Sequence, residues 1–76
     1  MKKVVIYTST SCMFCHAAKD FFKENNIVYT EYNISEDKEA KKELIKKGYR
    51  SVPIIKVDDT ELVGFDKDLI SSLLGL

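Results

Sequence analysis

The sequence has no tryptophan, a single proline, three glycines and two cysteines, and its twelve basic and twelve acidic side chains leave no net charge. Charge balance without a basic stripe removes the electrostatic footprint that tracking a phosphate backbone requires, so nucleic acid is not an expected partner. Behind the basic start Met1-Lys2-Lys3, the apolar run Val4 to Tyr7 gives way at once to Thr8-Ser9-Thr10-Ser11, too short a run for an export signal or a membrane span. The chain carries no phosphate-binding loop, no dinucleotide glycine motif and no paired-histidine metal site. Without an export signal the expected compartment is the cytoplasm. In that reducing setting a lone pair of cysteines is more often redox-active or metal-binding than structural.

What is present suits one small soluble core. Seventy-six residues, 45% apolar and 32% charged, predict a single domain over 1–76 and, by default, a monomer. Lys3 to Thr8 is a β-branched and aromatic run that reads as a buried first strand ending just before the cysteines. From Phe14 the apolar residues Ala17, Ala18, Phe21 and Phe22 recur at helical spacing up to Asn25-Asn26. Ile27 to Ile34 alternates through Val28, Thr30, Tyr32 and Ile34 as a second strand. Ser35 is the expected cap of a second helix, with Glu36 and Asp37 in its first turn, Ala40, Leu44 and Ile45 on its apolar face, and Gly48 beyond its end. Val52 to Val57 and Glu61 to Gly64 form a hairpin through Asp58-Asp59-Thr60. Asp66 caps a last helix whose buried stripe is Leu69, Ile70, Leu73 and Leu74, with Phe65 and Ile70 as a hydrophobic staple. The order β-α-β-α-β-β-α predicts an α/β fold. Strands one and two are parallel through a right-handed crossover, and the closing hairpin adds antiparallel strands to make a four-stranded mixed sheet.

Cys12-Met13-Phe14-Cys15 lies between the first strand and the first helix. Residues three apart share a helix face, so the two sulfurs can meet, and Cys12 at the N-terminus faces unpaired amides and the positive end of the helix dipole. Such settings lower a thiol pKa from about 8.5 to roughly 3.5–7.5. The dipole alone supplies only ~0.3–1 kcal/mol, so direct hydrogen bonds to the Cys12 sulfur are also expected. Cys12 is then the nucleophile and Cys15 the resolving thiol.

Three other readings of the pair are weaker. A structural disulfide closing so short a loop restrains the unfolded chain little. A structural zinc site wants four ligands, and only His16 stands near as a third, so no metal is expected. Cys12-Met13-Phe14-Cys15-His16 also spells the haem-attachment signature, but attachment needs an open haem pocket and, in most settings, export. His16, on the polar side of the helix, reads as a solvated residue, and Phe21 and Phe22 as core, whereas Phe14 beside the cysteines can border a substrate groove.

Ser51-Val52-Pro53 holds the only proline, where a strand begins and a missing amide hydrogen is tolerated. A cis Val52–Pro53 bond would turn the Val52 backbone outward to pair with an extended substrate; sequence leaves the isomer open. Gly64-Phe65-Asp66 is a turn and cap whose amides could also bind a carboxylate.

Taken together, Cys12-Met13-Phe14-Cys15, Ser51-Val52-Pro53 and Gly64-Phe65-Asp66 resemble the glutaredoxin family, in the right order and over almost the entire chain. The resemblance implies the thioredoxin-like fold and a thiol-disulfide oxidoreductase. It further implies a glutathione or disulfide site formed by Phe14, Val52, cis Pro53, Gly64, Phe65 and Asp66, and no tightly held cofactor. The expected activity is glutathione-linked reduction of disulfide or glutathionylated proteins, with glutathione as reductant or co-substrate. Ser9 stands where glutaredoxins commonly carry a glutathione-binding lysine, Met13 replaces the usual proline, Phe14 the usual tyrosine and Val63 the first of two glycines. Gly48-Tyr49-Arg50 and Gly64-Phe65 look like the glutaredoxin-like redoxins that serve ribonucleotide reductase and draw electrons from thioredoxin reductase, which is the alternative expectation. A non-enzymatic CxxC metal-binding or interaction module is a third. Ordinary thioredoxin, with a tryptophan beside its first cysteine, is less similar to this tryptophan-free chain.

Overall fold

The computed structural model describes residues 3–76; Met1 and Lys2 of the basic start lie outside them. The elements are β1 (Val4–Thr8), α1 (Met13–Glu24), β2 (Tyr29–Asn33), α2 (Lys38–Lys46), β3 (Ile54–Val57), β4 (Thr60–Val63) and α3 (Lys67–Leu74). They form one sheet in the order β2-β1-β3-β4. β1 runs parallel to β2 and antiparallel to β3, and β3 is antiparallel to β4. This is the expected mixed sheet in the expected chain order.

Register decides which side chains meet. Val4 and Ile6 of β1 stand opposite Val57 and Ile55 of β3, and all four are buried. They share a cluster with Ala18, Phe21 and Phe22 of α1 and Ile70 of α3, so these two helices cover the same sheet face. On the opposite face Tyr7 and Tyr32, partners in the β1–β2 ladder, stack with ring centroids 5.4 Å apart. Burial pushes the Tyr7 hydroxyl above its ordinary pKa, only partly offset by the positive charge of Lys47.

Several details depart from the sequence reading. β2 inverts the expected phase: Tyr29 packs against the core with its ring 5.2 Å from Phe22, and Val28 lies outside the strand, 78% exposed. Its parallel register places Tyr29, Glu31 and Asn33 beside Val4, Ile6 and Thr8, so these three share the α1 side of the sheet. α2 starts later than expected because Asp37, not Ser35, is its cap: Asp37 Oδ1 accepts from Glu39 N and Ala40 N, each at 3.1 Å. Ser35 is held by Asn33 Oδ1 and its own Oγ accepts from Thr10 N, tying this turn to the loop before the cysteines. Ala17, Ile45 and Leu69 point to solvent, so each helix stripe is narrower than expected. Thr60 belongs to β4, opposite Val57, which leaves a two-residue turn of Asp58 and Asp59 with Asp58 at φ 53°.

Candidate active site

β1 delivers the chain to the cysteines at the end of the sheet where the parallel strand β2 also finishes. Thr8 pairs with Asn33, and Ile34 N donates to Thr8 O at 2.8 Å, which fixes the end of β1 just before Ser9. Cys12 is itself the N-cap of α1: its backbone is extended at φ −88°, ψ 110°, and its Sγ accepts from Cys15 N at 3.1 Å. A cysteine thus takes the place that Ser, Asp or Asn commonly fills, and the capping acceptor is the sulfur whose charge matters. The first turn of α1 holds no acidic side chain to oppose a thiolate there.

Cys12 and Cys15 form a disulfide across that turn, with Cα atoms 5.2 Å apart. The two sulfurs are not equivalent. Cys15 is 1% exposed and belongs to the core side of α1, whereas Cys12 is half-buried at the surface. Of the two residues, Cys12 is the one with surface open to solvent. Met13 and Phe14, between them, are 83% and 68% exposed.

The other expected site residues beyond Phe14 lie in the segment just before β3 and in the turn between β4 and α3. The Val52–Pro53 peptide is cis. Tyr7 pairs with Ile54 at the last position of the antiparallel β1–β3 ladder, so buried Pro53 and half-buried Val52 immediately precede the strand that neighbours β1. Gly64 N donates to Pro53 O at 2.8 Å, so the Gly64 turn is strapped to the proline loop. Gly64 adopts φ +87°, a left-handed conformation that an L side chain rarely takes even though the space around it is open. Asp66 caps α3, its Oδ1 accepting from Leu69 N at 3.2 Å. Phe65 packs on the same cluster as Ile70, with its ring 5.9 Å from Phe21, as the staple predicts. The cap and staple therefore account for Asp66 and Phe65 structurally. His16 is exposed, as expected.

Sequence reasoning passed over one cluster beside this site. Thr8, only 1% exposed, donates its hydroxyl to Glu31 Oε2 at 2.7 Å, and Lys19 Nζ reaches the same oxygen at 3.0 Å. The Thr8 hydrogen bond, aided by Lys19 and opposed by burial, holds the Glu31 carboxyl below its ordinary pKa of 4.5. These contacts join the end of β1, the edge strand β2 and α1. The signal available in the sequence was the strand phase, which was inverted. Among the described residues no group of three or more His, Cys, Asp or Glu side chains is arranged to hold a metal ion. Likewise no helix there is long and apolar enough to cross a membrane.

Comparison with known proteins agrees with this geometry. The glutaredoxin-like protein NrdH of Lactococcus lactis subsp. cremoris is 33% identical over 70 residues, covering 92% of this chain and 97% of its own length. The thioredoxin-like protein BC3987, as a crystallised point mutant, superposes with a TM-score of 0.89 at 30% identity, covering 99% of this chain and 97% of that one. NrdH-redoxin from Escherichia coli, described as glutaredoxin-like with a thioredoxin-like activity profile, superposes with a TM-score of 0.85 at 30% identity, covering 93% of each chain. The sequence model of glutaredoxin matches residues 4–62, from the first strand through the cysteine turn and the proline loop into β4, and on that span the chain belongs to the glutaredoxin family, as a glutaredoxin-like redox protein.

Proposed function

We propose that this chain is a dithiol carrier that reduces protein disulfides and is itself reduced by thioredoxin reductase. The observation that carries the reading is the asymmetry of the cysteine pair: an accessible capping sulfur on Cys12 and a buried partner on Cys15. The Cys12 thiolate attacks one sulfur of the substrate disulfide, forming a mixed disulfide and expelling the other substrate sulfur as a thiolate, which takes up a proton. Cys15, deprotonated, attacks the Cys12 sulfur. The second substrate thiol leaves, the Cys12–Cys15 disulfide closes, and two electrons have passed to the substrate. The reductase then returns two electrons and two protons. Exposed Phe14 and Met13 flank the incoming chain, and the Val52 backbone beside cis Pro53 offers it strand-like hydrogen bonds.

Thioredoxin reductase is favoured over glutathione by Ser9, which puts no cation where a glutathione carboxylate would need one, and by the likeness to redoxins with a thioredoxin-like profile. Glutathione is the second reading, kept for the Gly64-Phe65-Asp66 turn at the start of α3. NADPH consumption with a protein disulfide decides between them. Turnover is expected with thioredoxin reductase and little with glutathione plus glutathione reductase; the reverse would assign glutathione to Val52 and the Gly64-Phe65-Asp66 turn, and turnover with neither would sink the reading. Cys12→Ser should be inactive, while Cys15→Ser should accumulate a covalent mixed disulfide on a non-reducing gel. A Cys15→Ser protein that traps nothing would overturn the assigned roles.

A further inference from the structure

Met13 is out of place for a methionine. Flexible thioethers ordinarily fill core gaps, yet this one is 83% exposed, the first helical residue of α1, next to the capping Cys12 and followed by Phe14 at 68% exposure. α1 buries Cys15, Ala18, Phe21 and Phe22, so Met13 lies off the face that packs on the sheet. Its chemistry differs from that of its neighbours as well. In the disulfide form neither Cys12 nor Cys15 has a thiolate for an oxidant to attack, and Cys15 is sealed in the core. The thioether of Met13 is then the oxidisable sulfur left open at the active-site surface. The chain holds just one other methionine, Met1.

We propose that Met13 is a peroxide-modification site, whose conversion to methionine sulfoxide weakens docking of disulfide substrates while the cysteine chemistry stays intact. The part concerning docking rests on the oxidoreductase reading above. A lone pair on the Met13 Sδ takes the terminal oxygen of hydrogen peroxide as the O–O bond breaks. The sulfur is oxidised by two electrons, the peroxide is reduced by two, and the departing hydroxide takes up the peroxide proton and leaves as water. An apolar side chain beside Cys12 becomes a polar one, so the surface that an incoming apolar segment would cover must now be desolvated at a cost. The oxidised carrier, which accumulates when peroxide is high, is the form in which Met13 rather than a cysteine reacts.

The full chain in its disulfide form would be treated with hydrogen peroxide, with free methionine in the same tube, then digested and weighed. The expected result is one added oxygen on the peptide containing Met13, at a rate near that of free methionine, with the disulfide intact. After peroxide removal and reduction, the KM for a protein disulfide should rise roughly three- to tenfold with kcat nearly unchanged. Met13→Leu should be indifferent to peroxide, Met13→Gln should show the raised KM without it, and methionine sulfoxide reductase should restore the untreated value. A Met13 left unmodified when free methionine is consumed would overturn the proposal. So would an unchanged KM in the sulfoxide form, or a peroxide effect that persists in Met13→Leu. Absence of turnover before any peroxide would defeat the oxidoreductase reading and the KM effect with it, whereas the mass spectrum judges the modification on its own.

Discussion

Single residues around the cysteine turn do different physical work despite lying within a few positions of one another. The Cys12 sulfur is the capping acceptor and, in the proposed function, also the nucleophile, and its spacing from Cys15 was legible because three residues close one helical turn. Glu31 was not legible, since its role depends on Thr8 and Lys19 approaching from β1 and α1. Its pH behaviour has a definite sign. The folded pKa lies below the ordinary 4.5, so the Glu31 contribution is present in full above that value and is lost as pH falls through the lower folded pKa. Glu31→Gln should cost about 1 kcal/mol at neutral pH, since the side chain is 31% exposed and partly screened. It should also flatten the acid-side loss of stability. Urea unfolding from about pH 7 down to about pH 3 measures both; parallel pH curves for the two proteins would refute the assignment.

Among the elements, α2 shows how a cap is chosen. Ser35, Glu36 and Asp37 all suit a helix start, but Asp37 alone aims an oxygen at two first-turn amides, while Ser35 is drawn to Thr10. At the other end Gly48, at φ +87°, lets Tyr49 N reach Leu44 O at 2.9 Å and Gly48 N reach Ile45 O at 3.0 Å, a Schellman closure. Asp37→Ala should therefore destabilise the fold by about 1 kcal/mol, and Ser35→Ala by clearly less. Denaturant midpoints settle the order; a larger loss at Ser35 would return the cap to the position that sequence suggested. The error had a local cause, because adjacent polar residues compete for one cap and only the path of the chain out of β2 decides which one faces the helix.

At the scale of the whole molecule, stability rests on a few large side chains. A chain of 76 residues is expected to be stable by roughly 4–11 kcal/mol. Phe22 is fully buried between Phe21 and Tyr29, so Phe22→Ala should cost about 3–5 kcal/mol and leave the fold marginal or lost. Phe14→Ala, at an exposed position, should stay within about 0.5 kcal/mol. Thermal unfolding of the two variants checks this; similar losses would mean that Phe14 is packed. By itself the sequence determined the order of elements, the strand pairing and the cysteine turn, because each follows from short-range periodicity, turn chemistry and chain connectivity. Tertiary structure alone decided the cis isomer at Pro53, the facing of the edge strand β2, the Thr8–Glu31–Lys19 contacts and the unequal burial of the two cysteines. These depend on groups brought together from distant parts of the chain, where register and packing, not local pattern, set which atoms meet.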